Sequence, residues 1–159
     1  MAESPVIDEL DARVVALFAH EPRIGVLEAS RRLGVARGTV QARLDRMLAR
    51  GVITGFGPDI EPAAIGHAVT GFVTVELRQS GGRDEVASRL AGIAEILEAH
   101  TITGPGDMLC RVVARNNADL QRVIDAIVEV PGVLRTSTVI ALATAIGYRT
   151  TPLVMSEGR

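Results

Sequence analysis

Between Arg31 and Arg50 the chain carries six arginines (31, 32, 37, 43, 46 and 50) against one acid, Asp45, a local charge of +5 in a protein of formal net charge −2. All the basic residues are arginine; there is no lysine. A guanidinium stays charged at any relevant pH and donates in pairs, which suits phosphate oxygens and the guanine edge. The same segment holds Gln41, whose amide matches adenine, Thr39, which can bond a base edge or a phosphate, and Gly38, where a backbone can approach DNA closely. A solvated, salt-bridged helix face has the same composition, so charge alone does not select duplex DNA. Spacing adds the second argument. A short helix reads from about Val26 to Leu33, Gly34 turns the chain at little steric cost, Val35 packs inward, and Val40, Leu44, Met47 and Leu48 recur with helical period. Two helices joined by a glycine turn of this length form a helix-turn-helix. With that stripe buried, Arg37, Gly38, Thr39, Gln41, Ala42, Asp45 and Arg46 point outward, and the candidate DNA contacts are Arg31, Arg32, Arg37, Gly38, Thr39, Gln41, Ala42, Arg43 and Arg46.

A second group of chemically capable residues is Thr103-Gly-Pro-Gly-Asp107. Two glycines around Pro105 expose backbone N–H groups that can receive a carboxylate, and Asp107 can hold an ammonium group. The same residues also build a tight hairpin turn without any ligand, and both readings stand at this point. Catalytic signatures are missing: no His-Glu-x-x-His, no phosphate loop ending in Gly-Lys-Ser/Thr, no Gly-x-Ser-x-Gly. His20, His67 and His100 are scattered, and His100 reads as structural. Cys110 stands alone in an apolar run, a small buried hydrophobe with no partner for a disulfide. No enzyme activity and no metal site are expected, and the cysteine usage fits a reducing compartment.

Several elements must position these residues. With 159 residues and a 47% hydrophobic fraction, the chain can bury one ordinary core or two small ones. A first helix follows Asp8, with Asp11 completing an approximate capping box and Leu10, Val14, Leu17 and Phe18 as its stripe, and Pro22 ends it. Gly51 stops the third helix, and Val52 to Phe56 reads as a short extended exit. Residues 58–71 read as a linker holding a short strand and a helical turn. Phe72 to Arg78 alternates as a strand, a Ser-Gly-Gly turn leads to a helix from about Asp84, and Ile96–Thr103 and Met108–Arg115 are strands either side of the Gly104-Pro105-Gly106 turn. Asn117 caps a helix striped by Leu120, Val123, Ile124, Ile127 and Val128, Pro131-Gly132 breaks it, and Val133–Ala143 is the last strand.

The order is β-α-β-β-α-β, and its halves are alike: residues 93–102 and 130–139 align without gaps. A duplicated split βαβ unit is the ferredoxin-like fold, so the expected class is α+β, a three-helix, winged-type helix-turn-helix followed by a ferredoxin-like domain. The expected division is a DNA-binding domain over 1–57, a linker over 58–71, an assembly and effector domain over 72–149, and a tail over 150–159 without structure. Both helices on one side of the sheet leave its other face to be wetted or covered by another subunit. Neither a leader segment nor a membrane span is visible, and a cytoplasmic protein without membrane contact is expected.

The chain resembles the Lrp/AsnC (leucine-responsive, feast/famine) transcription regulators through Asp8-x-x-Asp11, Gly34-Val-Ala-Arg-Gly-Thr-Val-Gln-Ala-Arg-Leu, Gly51-Val-Ile, Thr103-Gly-Pro-Gly-Asp107 and Pro131-Gly-Val, over about residues 7–148. The resemblance implies double-stranded DNA as partner, a homodimer formed through facing sheets, and tetramers or octamers of those dimers. It also implies a small-molecule effector, commonly an amino acid, near the turn between the second and third strands. Carried onto this sequence, that site comprises Thr101, Thr103, Gly104, Gly106, Asp107 and Met108, with Thr136 and Thr138 as neighbours. No other cofactor is implied. Three positions depart from the family: Ala36 stands for a capping serine, Leu48 for an acid and Met108 for an aromatic residue. The expected function is sequence-specific, effector-modulated transcription regulation. The alternatives are an effector-independent DNA-organising protein and a ferredoxin-like small-molecule-binding domain that does not bind DNA.

Overall fold

The computed structural model describes residues 7–78 and 82–158, and of the Ser-Gly-Gly turn expected before the fourth helix, Ser80 and Gly81 lie outside the described residues. In chain order the elements are α1 (Glu9–His20), α2 (Val26–Leu33), α3 (Arg37–Ala49), β1 (Val69–Leu77), α4 (Arg83–Leu90), β2 (Ile96–Thr101), β3 (Met108–Ala114), α5 (Asn117–Val128), β4 (Val133–Ala141) and α6 (Thr151–Glu157). The chain divides into two units, one drawn from residues up to Pro58 together with those from Ile146 onward, the other Asp59–Ala145.

In the first unit, the N–H of Asp11 donates to the Asp8 carboxylate and the N–H of Asp8 donates back to Asp11, so the capping box that begins α1 is complete. Gly34 ends α2 in the left-handed region (φ 71°), and the Val35 N–H reaches back to the Ser30 carbonyl, turning the chain into α3. Val14, Ala29, Leu33, Val40, Leu44 and Met47 form the core of the three helices, with Leu17, Phe18 and Val35 packed against it. Leu48, expected inside, is exposed. The stripe of α3 closes on Val40, Leu44 and Met47, and position 48 turns past it. The exit after Gly51 begins with a bend, because the N–H groups of Val52 and Ile53 both donate to Met47 O, and residues 52–56 form no strand among the described residues.

The tail differs from its expected lack of structure: within residues 150–159, α6 forms and packs on α1. Gly158 is buried there, so close that a Cβ on it would lie 2.4 Å from the Cβ of Ala12. A seven-residue helix anchored by a glycine on an alanine carries no apolar stripe for a periodicity argument to find.

The second unit is a four-stranded antiparallel sheet in the order β2-β3-β1-β4, with both helices on one face. Val73, Val75, Met108, Cys110, Val112 and Ala114 meet Val86, Leu90, Leu120, Val123 and Ile127 across that face. β1 begins at Val69, inside the expected linker, and the rest of that segment holds one 3-10 turn at Pro62–Ile65. Asn116, one residue before the expected cap, begins α5 by accepting from the Asp119 N–H. Duplication is visible in the backbone. Ile93 and Ile96 donate to Leu90 O and Ile93 O, and the equivalent Val130 and Val133 donate to Ile127 O and Val130 O.

Candidate nucleic-acid interface and effector turn

Helix α3 shows solvent a row of Arg37, Gly38, Gln41, Ala42 and Asp45, while Thr39 is half-buried. A Cβ on Gly38 would meet nothing within 4 Å, so this surface is open. Gln41 donates through Nε2 to Asp45 Oδ1 at 2.8 Å, which fixes the amide and places an acid in the exposed row. Ala36 occupies the N-cap of α3 and no side chain caps it, a loss of about 1 kcal/mol relative to serine.

The arginines fall into two groups. Arg32 pairs with Glu21 and with Glu28 (3.3 Å), and Arg31 lies 3.6 Å from Glu28. Arg43 pairs with Asp8 and Asp11 (3.1 Å), and Arg46 with Asp11 at 2.6 Å. Asp11 is 1% exposed, so its carboxylate depends on these two guanidiniums, and removing both would strand a buried charge at a cost of about 3–5 kcal/mol. Hydrogen bonds from Arg43 and from the Asp11 N–H hold the Asp8 carboxyl below its usual range. Among the described residues only Arg37 and Arg50 of the six lack an acidic partner. Arg31, Arg32, Arg43 and Arg46 thus have intramolecular partners that the charge count could not show.

In the second unit, Gly104 and Gly106 both take positive φ (103° and 97°) in the β2–β3 turn. Gly106 is pressed onto β1: an added Cβ would lie 2.3 Å from Thr74 Cγ2. Asp107 is tied into the sheet, its N–H donating to Val75 O at 2.9 Å and its Oδ2 accepting from the Leu77 N–H at 2.8 Å. Its Oδ1 lies 3.7 Å from Arg83, a loose pair that leaves this oxygen approachable. The carboxylate is therefore half engaged in closing the end of β1, which a sequence does not reveal. Met108 is 3% exposed and belongs to the core rather than to an accessible surface.

Strand register locates the threonines. Thr101 pairs with Met108, Met108 with Val75 and Val75 with Thr136, so these four residues form one row across the sheet. Thr138 is in the next row, across from Val73. Three strand spacings separate Thr101 from Thr136, about 14 Å. The candidate effector residues therefore split into one group at the β2–β3 turn and another on the opposite edge strand. Among the described residues no group of three or more His, Cys, Asp or Glu is placed to hold a metal ion, and no helix is long and apolar enough to cross a membrane.

Residues 7–48 match the AsnC-type helix-turn-helix domain, and residues 70–150 match the Lrp/AsnC ligand binding domain. The chain belongs to the Lrp/AsnC family. It is a transcriptional regulator with a DNA-binding helix-turn-helix domain and a ligand binding domain. Similar to this Lrp/AsnC chain is the HTH-type transcriptional regulator FL11 of Pyrococcus horikoshii, 33% identical over 138 residues, which cover 87% of this chain and 91% of that one. The regulatory protein AsnC of Escherichia coli is 28% identical over 145 residues, covering 91% and 95%. The structure of Escherichia coli AsnC superposes with a TM-score of 0.85 at 27% identity, over 92% of this chain and 99% of that one. The feast or famine regulatory protein of M. tuberculosis complexed with L-methionine superposes with a TM-score of 0.80 at 27% identity, over 90% and 97%.

Within this Lrp/AsnC chain, Arg43 and Arg46 read from the sequence as DNA contacts and Asp8-x-x-Asp11 as a helix start. The structure brings the four together. A signal was present in the matched spacing, since acids at 8 and 11 face arginines at 43 and 46, each pair three apart and one turn long. Nothing in the sequence indicates which helix faces which.

Proposed function

We propose that the protein regulates transcription in the cytoplasm as a homodimer or higher assembly whose paired α3 helices enter successive major grooves and read sequence there. The observation that carries this reading is the exposed row on α3 after the Gly34 turn, in which Arg37 has no acidic partner among the described residues and Gln41, held to Asp45 through one amide N–H, keeps its carbonyl and second N–H for adenine. Arg37, Gly38, Thr39, Gln41 and Ala42 are the base-facing set. Arg31 and Arg32, at the end of α2, meet phosphates by exchanging partners with Glu21 and Glu28. Arg43 and Arg46 serve first to hold α3 against α1.

Assembly through the sheet face opposite α4 and α5 supplies the second copy. That face carries Phe72, Thr74, Leu109 and Arg111, and on β4 the exposed Val139. An amino acid or similar small effector binds at the β2–β3 turn, with Gly104 and Gly106 offering backbone N–H groups, Thr101 and Thr103 flanking them, and the free side of Asp107 meeting an ammonium group. This draws support from the L-methionine complex of the similar M. tuberculosis regulator. Thr136 and Thr138 lie too far away to touch the same small molecule within one chain, so they join such a site only from another copy.

The deciding experiment compares Arg37→Ala and Gln41→Ala with the parent on two duplexes, one enriched by the parent from a random pool and one of random sequence. Each variant should lose about 1–3 kcal/mol on the enriched duplex, a smaller amount on the random one, and retain the parent's assembly state in sedimentation. Parent-like binding by both variants would move the recognition face elsewhere.

A further inference from the structure

A cation that reaches the phosphate backbone strengthens binding to every sequence alike, because phosphates carry no sequence information. A regulator that reads bases therefore gains discrimination when the cations beside its reading surface are kept from random DNA. Arg43 and Arg46 sit on α3, and Arg46 is 44% exposed, so it is close enough to solvent to matter. Both guanidiniums are nevertheless turned to α1. Asp11 Oδ1 accepts from Arg43 at 3.1 Å, Asp11 Oδ2 accepts from Arg46 at 2.6 Å, and Asp8 Oδ2 accepts from Arg43. The carboxylates are themselves fixed, because each accepts the backbone N–H of the other at 3.1 and 2.9 Å. The acids cannot swing away without undoing the start of α1.

We propose that Asp8 and Asp11 are specificity-determining residues: by pinning Arg43 and Arg46 against α1 they withhold two cations from the phosphate backbone and hold down affinity for random DNA. This rests on the reading of α3 as the helix that enters DNA. A purely structural clamp makes a prediction of opposite sign. If the four side chains only hold α3 in place, loosening them weakens binding to every duplex. If they withhold charge, loosening them strengthens binding to random duplex.

Asp8→Asn and the double variant Asp8→Asn/Asp11→Asn test this in the full chain, since asparagine keeps the shape and the capping acceptor while losing the charge. Affinity is measured by fluorescence anisotropy against sodium chloride concentration on a random-sequence duplex and on the duplex enriched by the parent. The double variant should steepen the slope of log K on log salt by about 1.8 per chain, at about 0.9 per cation released to phosphate. Its affinity for random duplex at low salt should rise about tenfold, and the enriched-to-random ratio should fall. Asp8→Asn alone should shift both in the same direction by a smaller amount. Unchanged slope and ratio in folded variants, or weaker binding to both duplexes, overturns the proposal. Asp8 is 47% exposed, so should the double variant fail to fold, the single one decides. A parent that binds neither duplex would remove the recognition reading itself, and this inference with it.

Discussion

At the scale of single residues, the β2–β3 turn shows how sequence and geometry divide the work. Gly104 and Gly106 have the same left-handed φ, yet only Gly106 is crowded, with a prospective Cβ 2.3 Å from Thr74 Cγ2 and 3.3 Å from Val75 O. Gly104→Ala should therefore cost only the backbone penalty, about 1–2 kcal/mol, read from the denaturant midpoint of the whole chain. Gly106→Ala adds overpacking to that penalty and should cost about 2–5 kcal/mol in total. Adding Thr74→Ser removes the clashing methyl and should recover the packing part while leaving the backbone part. Equal losses at the two glycines would show that the approach to β1 is not tight. The sequence makes both glycines visible as turn formers, and the difference between them is hidden because Thr74 belongs to another strand, far away along the chain. Asp107 is a similar case: its position beside the turn was legible, whereas its bond to the Leu77 N–H needed the register of β1 against β3.

At the scale of elements, legibility follows periodicity. The stripes of α1, α3 and α5 and the alternation of β1 each repeat often enough to be read, and the repeat at 93–102 and 130–139 makes the two βα-linked halves one pattern seen twice. Errors gather where tertiary contacts set the ends. The expected strand through Thr103 stops at Thr101: one further bond, from the Ile102 N–H to Asp107 O, closes the pairing before Gly104 and Gly106 turn the chain. Helix α6 is illegible in the sequence for the same reason, since its docking depends on Gly158 fitting over Ala12 and Asp8 O. That contact makes a prediction at this scale. A chain ending at Arg149 should lose about 1–2 kcal/mol of stability in the helix-turn-helix unit, a modest amount because Leu153 and Met155 remain exposed and little apolar area is buried. Gly158→Val should reproduce much of that loss by lifting the helix off α1. Native-state hydrogen exchange in α1 is the measurement. Unchanged protection in both variants would show that α6 adds nothing to the unit.

At the scale of the whole molecule, the question is how strongly its charge should bind DNA. A count of sequence charges between Arg31 and Arg50 offers six cations per chain, whereas the structure leaves Arg37 and Arg50 as the two without an acidic partner among the described residues. These alternatives differ enough to separate by experiment. For a dimer using two cations per chain, the slope of log K on log salt should be about −3.6; with all six it would approach −11, at about 0.9 per neutralised phosphate. Exposed pairs such as Arg31–Glu28 are held by less than about 1 kcal/mol and can exchange for phosphate, which pulls the slope somewhat beyond the lower figure. The pairs on Asp11 are held by a buried carboxylate and should not exchange. The parent should therefore show a slope between about −4 and −7 on random duplex, the steeper end corresponding to Arg31 and Arg32 both joining. A slope near −11 would mean that even the Asp11 pairs open on DNA. In that case binding would draw on the recognition segment's full charge, and discrimination between sequences would have to come from the exposed row of α3 alone.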